Sequence, residues 1–535
     1  MGKIKFYQII MLICITSGLF TSCKKTSITE TPTPTPTTTT TTTASRTELT
    51  RDSMFLYAKE LYYWNTSLPT YEVFNPRSYS SNETELYALS QIAINATTGR
   101  PYEYLAGSSE PKYSYLDYVT TSTGATGALK ADLDGTALDF GFSAAFRSNT
   151  TLYVSYVYPT SPAGQAGLTR GCLITSVNGS TNINSTSNSS IDMLNAAIFG
   201  TSNSLTLTFT DLSGTSKTAT LVKANYTFSP ILYTNIYTVG TKKVGYMVFN
   251  SFTDNVSAEL GTLFSRFASE GITELIVDLR SNGGGYVSTA TELSNYIVPA
   301  SQTGNTMFTY FYNSYLQNLT TTQRQTSVLS HQPLLSSSGG LQTYTSGVNG
   351  RYATYADLNY STTSADNIEK FAKVGTLNLS RVYFLVTGST ASASELTINN
   401  LKPVMDVKVI GQTTYGKPVG FFPIRINDFD MYIPEFETKN QLNAGGYYAG
   451  MSPDQSAVQD LSKDFGNTQE TLLKYALNYA ERGTFVLPTS TTSSTASKST
   501  TAAKQFSSVT EDRDANLKLN LGTFNGMVGT PKRTF

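Results

Sequence analysis

The stretch of sequence that decides the fold is Val382-Tyr-Phe-Leu-Val-Thr-Gly-Ser-Thr-Ala-Ser-Ala-Ser-Glu-Leu396. Its apolar run, Val382–Val386, predicts a buried strand. Ser392 and Glu395 match the Ser-x-x-Glu capping box, which predicts a short helix that starts at Ser392 and ends before Pro403. In the plainest interpretation Ser392 is a helix cap. It is also well placed for a nucleophile, because the positive helix end and its N–H groups stabilise a developing oxyanion.

Strands and helices alternate on both sides of this stretch. Upstream, Val244–Phe249 and Ile272–Asp278 are predicted strands, and apolar residues between them repeat at helical spacing (Val256, Leu260, Leu263, Phe264 and Phe267). Downstream, Val407–Ile410 is a further predicted strand. The alternation predicts an α/β unit over residues 224–485, a mixed sheet with flanking helices.

Two of these strands end in unusual loops. Ile272–Asp278 continues into Asp278-Leu-Arg-Ser-Asn-Gly-Gly-Gly-Tyr286, whose glycines let another backbone approach closely and offer unhindered N–H donors. Val407–Ile410 leads into Gly411-Gln-Thr-Thr-Tyr-Gly-Lys417. Taken alone, the glycine run predicts only a flexible turn and Lys417 only a solvated lysine.

The composition excludes several functions. The 535 residues allow two to four domains, and 38 Lys+Arg balance 38 Asp+Glu, so the neutral chain is a poor candidate for binding nucleic acid. His331 is the one histidine, which excludes zinc sites built from several histidines. No metal or organic cofactor is implied. Cys172, the one cysteine in the body of the chain, is predicted to be a small buried apolar residue.

The pattern of the first 45 residues predicts a targeting signal followed by an extended tether. Lys3 and Lys5 precede an apolar run, Ile9–Phe20, and the small residues after it end at Cys23, as in a bacterial lipoprotein signal. An ordinary secretory signal with a chance cysteine is the alternative. We expect a signal peptide over 1–22 and, over 23–45, a lipidated Cys23 with an extended Thr/Pro tether. The predicted location is the cell envelope, with a lipid anchor in the outer membrane facing the periplasm or, as the open alternative, the cell surface.

Two further units lie between this tether and the α/β unit. Residues 46–134 begin with a helical pattern and are predicted to be a small helical N-terminal domain with a packing role. Residues 135–223 contain Pro159-Thr-Ser-Pro-Ala-Gly-Gln-Ala-Gly-Leu-Thr-Arg-Gly-Cys-Leu-Ile-Thr-Ser-Val-Asn-Gly179, which resembles a PDZ domain, a β-rich peptide-binding module. Phe140, Gly141 and Phe142 resemble the PDZ loop that holds a peptide's terminal carboxylate. Residues 486–535 are predicted to be a Ser/Thr-rich linker and tail.

Taken together, the motifs resemble the C-terminal processing peptidases (tail-specific proteases), serine peptidases with an embedded PDZ domain and a Ser–Lys dyad. The family pattern, Asp-Leu-Arg-x-Asn-x-Gly-Gly, then Ser-Ala-Ser-Ala-Ser-Glu, then Gly-Lys, is matched by segments that start at Asp278, Thr390 and Gly416. The resemblance implies that Ser392 is the nucleophile and Lys417 the general base. It also implies that the backbone N–H groups of Gly284 (or Gly283) and Ala393 form the oxyanion hole.

The sequence departs from the family pattern at two places. Phe421 stands where many members carry a Gln that orients the lysine, and Pro403 stands where some carry an Asp. Gln412 and Thr414 are the candidates for a replacement. Other hydrolase motifs fail: Gly-x-Ser-x-Gly is missing, and Pro111 disfavours the helix that the Ser109-Glu-Pro-Lys112 match to Ser-x-x-Lys would need.

Two hypotheses follow. In the first, the chain is a lipid-anchored endopeptidase that captures unfolded or C-terminally exposed polypeptides with apolar C-termini and cleaves them with Ser392 and Lys417. In the second, it is a peptide- or ligand-binding lipoprotein on the same scaffold with weak or lost catalysis. The first hypothesis is favoured because the second requires neither a serine at 392 nor a lysine at 417.

Overall fold

The computed structural model describes residues 44–106, 108–118, 133–336, 340–488, 519 and 526–529. The predicted signal peptide, Cys23 and most of the tether lie outside the described residues. In the ranges that the structure describes, no helix combines the length and the apolarity that a membrane span requires. Residues 46–535 cluster as one compact unit. The domain boundaries predicted inside it stay predictions.

The part that follows the tether is helical at first and then forms short strands. Its helices are α1 (Arg46–Leu61), α2 (Tyr71–Phe74) and α3 (Asn82–Ser90), and its strands are β1 (Ile94–Asn95), β2 (Arg100–Pro101) and β3 (Tyr115–Tyr118). Phe55 and Leu61 of α1 lie in the same buried cluster as Phe249 and Phe422 of the catalytic part. The helices therefore share their core with the catalytic part.

The next part carries a five-stranded antiparallel sheet. Its elements are β4 (Thr136–Asp139), β5 (Phe142–Ser148), β6 (Thr151–Val157), α4 (Pro162–Gln165), β7 (Leu173–Val177), α5 (Asn188–Ile198), β8 (Ser204–Thr210), β9 (Ser216–Val222) and β10 (Ala224–Thr227). The sheet order is β5-β6-β7-β8-β9, so β5 is an edge strand, and β4 pairs with β10 apart from it. Cys172 is fully buried in this core, as predicted.

The catalytic part alternates strands and helices, as its sequence predicts. Its strands are β11 (Ile231–Val239), β12 (Lys242–Phe249), β13 (Glu274–Asp278), β14 (Gly284–Tyr286), β15 (Thr306–Tyr312), β16 (Ile368–Lys370), β17 (Arg381–Val386), β18 (Asp406–Gly411), β19 (Val419–Gly420), β20 (Ile424–Ile426), β21 (Phe429–Tyr432), β22 (Phe436–Asn440) and β23 (Gln455–Ser456). Its helices are α6 (Ser257–Ser269), α7 (Val287–Ile297), α8 (Ser314–Gln317), α9 (Thr321–Thr326), α10 (Ala393–Leu401) and α11 (Thr471–Arg482). A last short strand, β24 (Gly526–Val528), follows much later in the chain.

The central sheet has the order β11-β12-β13-β17-β18-β23. β11 pairs antiparallel with β12, and every other neighbouring pair is parallel. The side chains of β17 alternate between the faces: Phe384 joins the core under α6, α7 and α10, whereas Leu385 joins the core under α11. The α/β architecture of the catalytic part, a mixed sheet covered by helices on both faces, is thus present.

The parallel strands bring the predicted site residues to one edge of the sheet. The glycine loop follows β13, the Ser392 turn follows β17 and the Lys417 loop follows β18. Because these strands are parallel neighbours, their carboxyl ends lie side by side, where sites of open α/β sheets form.

Candidate active site

Ser392 lies in a sharp turn between β17 and α10. Its backbone has φ of +62°, a conformation that side-chain-bearing residues rarely adopt. The residue is 0% exposed, and its Oγ makes no hydrogen bond with any described residue. A strained strand-to-helix turn that presents a hydroxyl without a hydrogen-bond partner has the geometry of a nucleophile elbow. A hydroxyl used as a cap would have been bonded to the first helical turn.

Glu395 ties the Ser392 turn to the Lys417 loop. The backbone N–H groups of Ser392 and Lys417 donate to the same carboxylate oxygen, Oε2, at 2.9 and 2.8 Å. The two nitrogens therefore lie no further apart than the sum of those distances. Gly416 N–H (2.8 Å) and the Thr414 hydroxyl donate to Oε1. Burial raises the pKa of Glu395, and these four hydrogen bonds oppose that shift. The capping-box glutamate is thus used as a clamp between two loops.

Lys417 is fully buried at the end of its loop. Burial lowers the pKa of Lys417 to about 7, and the neighbouring positive charge of Lys112 acts in the same direction. The carboxylates of Glu103 and Glu395 oppose the shift. Because an unperturbed lysine has a pKa near 10.5, this lysine is neutral in a large fraction of molecules at neutral pH. A neutral amine is what a general base requires.

The Lys417 side chain contacts a backbone carbonyl and the ring of Phe421, the residue at the position where the family pattern has a glutamine. Its Nζ donates to the carbonyl oxygen of Tyr113 at 3.4 Å and lies 4.2 Å from the centre of the Phe421 ring. Thr414, one of the two residues suggested as a replacement, donates instead to Glu395. Gln412 donates its backbone N–H to Val386. A backbone carbonyl and an aromatic face thus help to hold the ammonium.

Asn282 holds the glycine loop against the Ser392 turn. Its side chain donates to the carbonyl of Phe249 (2.7 Å) and accepts from Gly284 N–H (2.9 Å). The backbone carbonyl of Asn282 accepts from Ala391 N–H at 3.0 Å and from the Ser394 hydroxyl at 3.3 Å. These bonds lock the loop directly beside the turn that carries Ser392.

The hydrogen bonds also show which of the predicted oxyanion-hole N–H groups are already bonded within the protein. Gly284 N–H is taken by Asn282, whereas the N–H groups of Gly283 and Ala393 have no acceptor among the described residues. Gly283 is partly exposed, and Ala393 is the first residue of α10. Of the two glycines considered from the sequence, Gly283 thus has the available N–H.

A buried ion network anchors the start of the glycine loop. Arg280 Nε donates to Asp278 at 2.9 Å, and its guanidinium forms an ion pair with Glu470 at 2.9 Å. The aromatic ring of Phe465 lies 5.6 Å from Arg280 and 4.8 Å from Arg170, which belongs to the part predicted to resemble a PDZ domain. The Asp-Leu-Arg motif therefore positions the loop and does not face a substrate.

Sequence reasoning missed the contribution of the N-terminal part. Lys112 Nζ donates to the carbonyls of Gly416 (3.2 Å) and Tyr448 (3.1 Å), and the Tyr113 hydroxyl donates to Gly416 (2.6 Å). These residues fix the loop that ends in Lys417. The packing role predicted for residues 46–134 is therefore incomplete. No local pattern marks Lys112 or Tyr113, since only the tertiary fold brings them to Gly416 and Tyr448, which are 303 to 336 positions away.

The loop predicted to hold a peptide carboxylate leads into the edge strand β5. Phe140 and Phe142 are buried in the core of their own sheet, and the Phe140 carbonyl accepts a hydrogen bond from Ala163 N–H at 2.9 Å. Gly141 has φ of +79°, and a Cβ there would lie 1.9 Å from the Cβ of Ser161. Only glycine fits at this position.

Within the ranges that are described, no group of three or more His, Cys, Asp or Glu side chains is arranged to hold a metal ion. The buried carboxylate of Glu395 accepts from the Lys417 loop, and the buried Lys417 Nζ donates to Tyr113 of the N-terminal part. The arrangement is thus suited to acid–base and nucleophilic chemistry by side chains.

Comparison with known proteins agrees with this geometry. Residues 243–454 match the model of peptidase family S41. The "Probable CtpA-like serine protease" of Staphylococcus aureus (strain COL) is 24% identical over 235 residues, which make up 44% of this chain and 42% of that protein. The match thus spans less than half of the relative's length.

A solved structure shows the same fold over a longer stretch. The putative S41 protease from Bacteroides fragilis NCTC 9343 is 22% identical, with a TM-score of 0.52, over 81% of this chain and 97% of that chain. The family expected from the motifs is therefore confirmed by the segment that contains all three loops of the site. The similarity to peptidase family S41 thus covers residues 243–454.

Proposed function

We propose that the chain is a serine endopeptidase in which Ser392 is the nucleophile and Lys417 the general base. The observation that carries this proposal is the shared Glu395 clamp, which joins the backbone of Ser392 to the backbone of the fully buried Lys417. The Ser392 hydroxyl makes no hydrogen bond with the described residues. Membership of the segment in a peptidase family supports the same chemistry. The binding-protein alternative gives no reason to bury a lysine in this way.

The proposed reaction is acyl transfer. Neutral Lys417 takes the proton of Ser392 Oγ, and the oxygen attacks the carbonyl carbon of a peptide bond. The tetrahedral oxyanion accepts hydrogen bonds from the N–H groups of Gly283 and Ala393. Protonated Lys417 then gives its proton to the leaving amine, the C–N bond breaks, and water hydrolyses the acyl-enzyme with Lys417 again as base.

The substrates we propose are unfolded or C-terminally exposed polypeptides with apolar C-termini. The backbone of Phe140–Phe142 receives the terminal carboxylate, and the polypeptide adds to the outer edge of β5 by strand addition. This proposal is supported by the position of β5 at the edge of the sheet and by the resemblance of residues 135–223 to a PDZ domain.

We further propose that a lipid on Cys23 anchors the protein in the outer membrane facing the periplasm. Cys23 lies outside the described residues, so the support is the signal pattern alone. Cells grown with an alkyne-labelled fatty acid test this proposal. Cys23→Ser is expected to abolish labelling, and Cys172→Ala, which changes a buried cysteine, is the matched control. Equal labelling of Cys23→Ser would contradict the anchor.

The activity itself is tested with an unfolded polypeptide that ends in apolar residues. The full chain in mild detergent is compared with Ser392→Ala, and mass spectrometry identifies the fragments. Ser389→Ala, a serine three residues away, is the control and is expected to cut normally. Fragments that persist with Ser392→Ala would contradict the proposal. Polypeptide that binds all three proteins but stays intact would favour the binding-protein hypothesis.

A further inference from the structure

A short segment far along the chain lies against the active-site loops. Residues Gly526–Val528 form β24, which pairs in parallel with β14 in the register Gly284 with Gly526, Gly285 with Met527 and Tyr286 with Val528. β14 is the direct continuation of the glycine loop that offers the Gly283 N–H. We call residues 526–529 the docked segment.

The docked segment occupies one of the two edges of β14. On the other edge, Phe252 donates to the Gly284 carbonyl at 2.9 Å and accepts from Tyr286 N–H at 2.8 Å. Gly285 pairs with Phe252 so closely that a Cβ at Gly285 would lie 2.3 Å from the Phe252 oxygen. A polypeptide that extends this strand has to take the edge that the docked segment now holds.

The second wall of this groove belongs to the loop after Lys417. Gly529 N–H donates to the Phe421 carbonyl at 3.0 Å, and Val528 forms a parallel bridge with Phe421. The same Phe421 presents its ring to Lys417 Nζ. The docked segment thus lies between the two loops that carry the oxyanion donor and the general base.

The groove selects side chains. Val528 is 7% exposed and packs with Leu133, Phe421 and Tyr432 in an apolar cluster. At the next residue, Gly529, a Cβ would lie 2.9 Å from the Phe436 ring, too close without a shift of that ring. An extended peptide therefore fits best with an aliphatic residue followed by glycine.

A second contact ties this end of the chain to the peptide-binding part. Leu519 is 1% exposed and lies in the core cluster formed by the sheet of β5 to β9. Leu519, which precedes the docked segment in the chain, thus packs in the part of the molecule where polypeptide capture is proposed. The chain's own segment and a substrate polypeptide would compete along the same route.

We propose that the groove between β14 and Phe421 is the subsite that binds extended polypeptide substrates, preferring an aliphatic residue followed by glycine, and that the docked segment occupies it as an intramolecular competitor. The proposal deepens the proposed function and rests on it. Its consequence is that the intact chain is restrained: a substrate binds only when the docked segment leaves. An intramolecular competitor acts at an effective concentration that free peptide rarely reaches.

The test uses the full chain and Val528→Asp, which places a carboxylate in the apolar cluster. Val486→Asp makes the same change at a valine that is 76% exposed and serves as the control. Gly529→Val is a second disrupting variant, because its side chain would overlap the Phe436 ring. Thermal unfolding checks that each variant folds. We expect Val528→Asp and Gly529→Val to raise kcat/KM on an unfolded polypeptide about tenfold through KM, and Val486→Asp to match the parent.

A binding measurement separates this proposal from the activity. A fluorescent peptide with the sequence of residues 519–535 is added to each protein, and its anisotropy is followed. It is expected to bind Val528→Asp more tightly than the parent and to raise KM, whereas the same peptide with Asp for Val528 is expected to do neither. Equal or lower kcat/KM for both disrupting variants, or no binding of the peptide to Val528→Asp, overturns the proposal. If none of the proteins cleaves the polypeptide but the difference in peptide binding is observed, the proposed peptidase activity is contradicted, whereas the proposal that the docked segment occupies a peptide-binding groove is supported.

Discussion

The chemistry proposed for this protein depends on the protonation of one residue. Burial lowers the pKa of Lys417 to about 7, while nearby carboxylates oppose that shift and the charge of Lys112 adds to it. A base with a pKa near the working pH combines a useful neutral fraction with a useful affinity for protons. In the proposed mechanism, the same environment keeps the lysine neutral without the glutamine of the family pattern.

At this scale we predict the pH dependence of cleavage. Because the neutral amine is the active form, kcat/KM is expected to rise with pH through an apparent pKa of about 7. Lys112→Met removes a like charge that lowers the pKa of Lys417, so the rising limb is expected to move to higher pH. Lys112→Arg keeps the charge and is the control. A Lys112→Met profile at the parental position would show that Lys112 does not tune the base.

At the scale of elements, the glycine loop depends on a buried ion pair behind it. Arg280 and Glu470 are each 1% exposed at their side chains. Removing one partner leaves the other as an uncompensated buried charge. Arg280→Met is therefore expected to reduce the free energy of unfolding by roughly 3–5 kcal/mol, as measured by urea denaturation. The exposed pair of Arg482 with Glu481 provides the control, Arg482→Met, for which a loss below about 1 kcal/mol is expected. Equal losses would contradict the network's structural role.

The elements themselves were largely predictable from local pattern. The apolar run at Val382–Val386 became β17, and the helical spacing from Val256 to Phe267 became α6, since burial imposes the periods of 2 and 3.6 that the sequence shows. The position of Ser392 before α10 was also predictable from its capping pattern. Parallel strand order then accounts for the meeting of the three loops.

What the sequence could not predict were contacts made only by tertiary packing. The Tyr113 carbonyl beside Lys417 is a backbone group, which leaves no trace in residue type. Strand β24 has three residues and no periodic signal, and its partner strand is about 240 positions earlier. The choice between Gly283 and Gly284 as oxyanion donor depends on one hydrogen bond from Gly284 to Asn282.

At the scale of the whole molecule, the buried lysine couples the site to stability. The folded pKa of Lys417, about 7, lies below the value of 10.5 expected in the unfolded chain. Between these pH values the unfolded state binds more protons, so the free energy of unfolding increases as pH rises. The destabilisation caused by burying Lys417 is greatest below pH 7. We expect the parent to gain stability from pH 7 to 9, by an amount on the order of a few kcal/mol.

The variant Lys417→Met isolates this contribution. It is expected to be more stable than the parent at pH 7 and to show a smaller rise in unfolding free energy from pH 7 to 9. Urea denaturation at fixed ionic strength measures both quantities. Parallel pH curves for the two proteins would mean that Lys417 is not held in a desolvated state.

The assembly of the site draws on distant parts of the chain. The N-terminal part supplies Tyr113 and Lys112, the catalytic part supplies Ser392 and Lys417, and residues 526–529 border the groove. Ser392 and Lys417 are both 0% exposed, so a polypeptide reaches them only after a rearrangement. Displacement of the docked segment is the one that the structure itself suggests.

The central claim is that Lys417 activates Ser392. It is tested most directly by treating the full chain, Lys417→Met and Ser392→Ala with an alkyl fluorophosphonate, which forms a covalent bond to an activated serine, and locating the adduct by peptide mass spectrometry. The account predicts one adduct, on Ser392 of the parent, whose rate of formation rises with pH through about 7 and is lost in both variants. An adduct on another serine, or equal labelling of Ser392 in Lys417→Met, would contradict it.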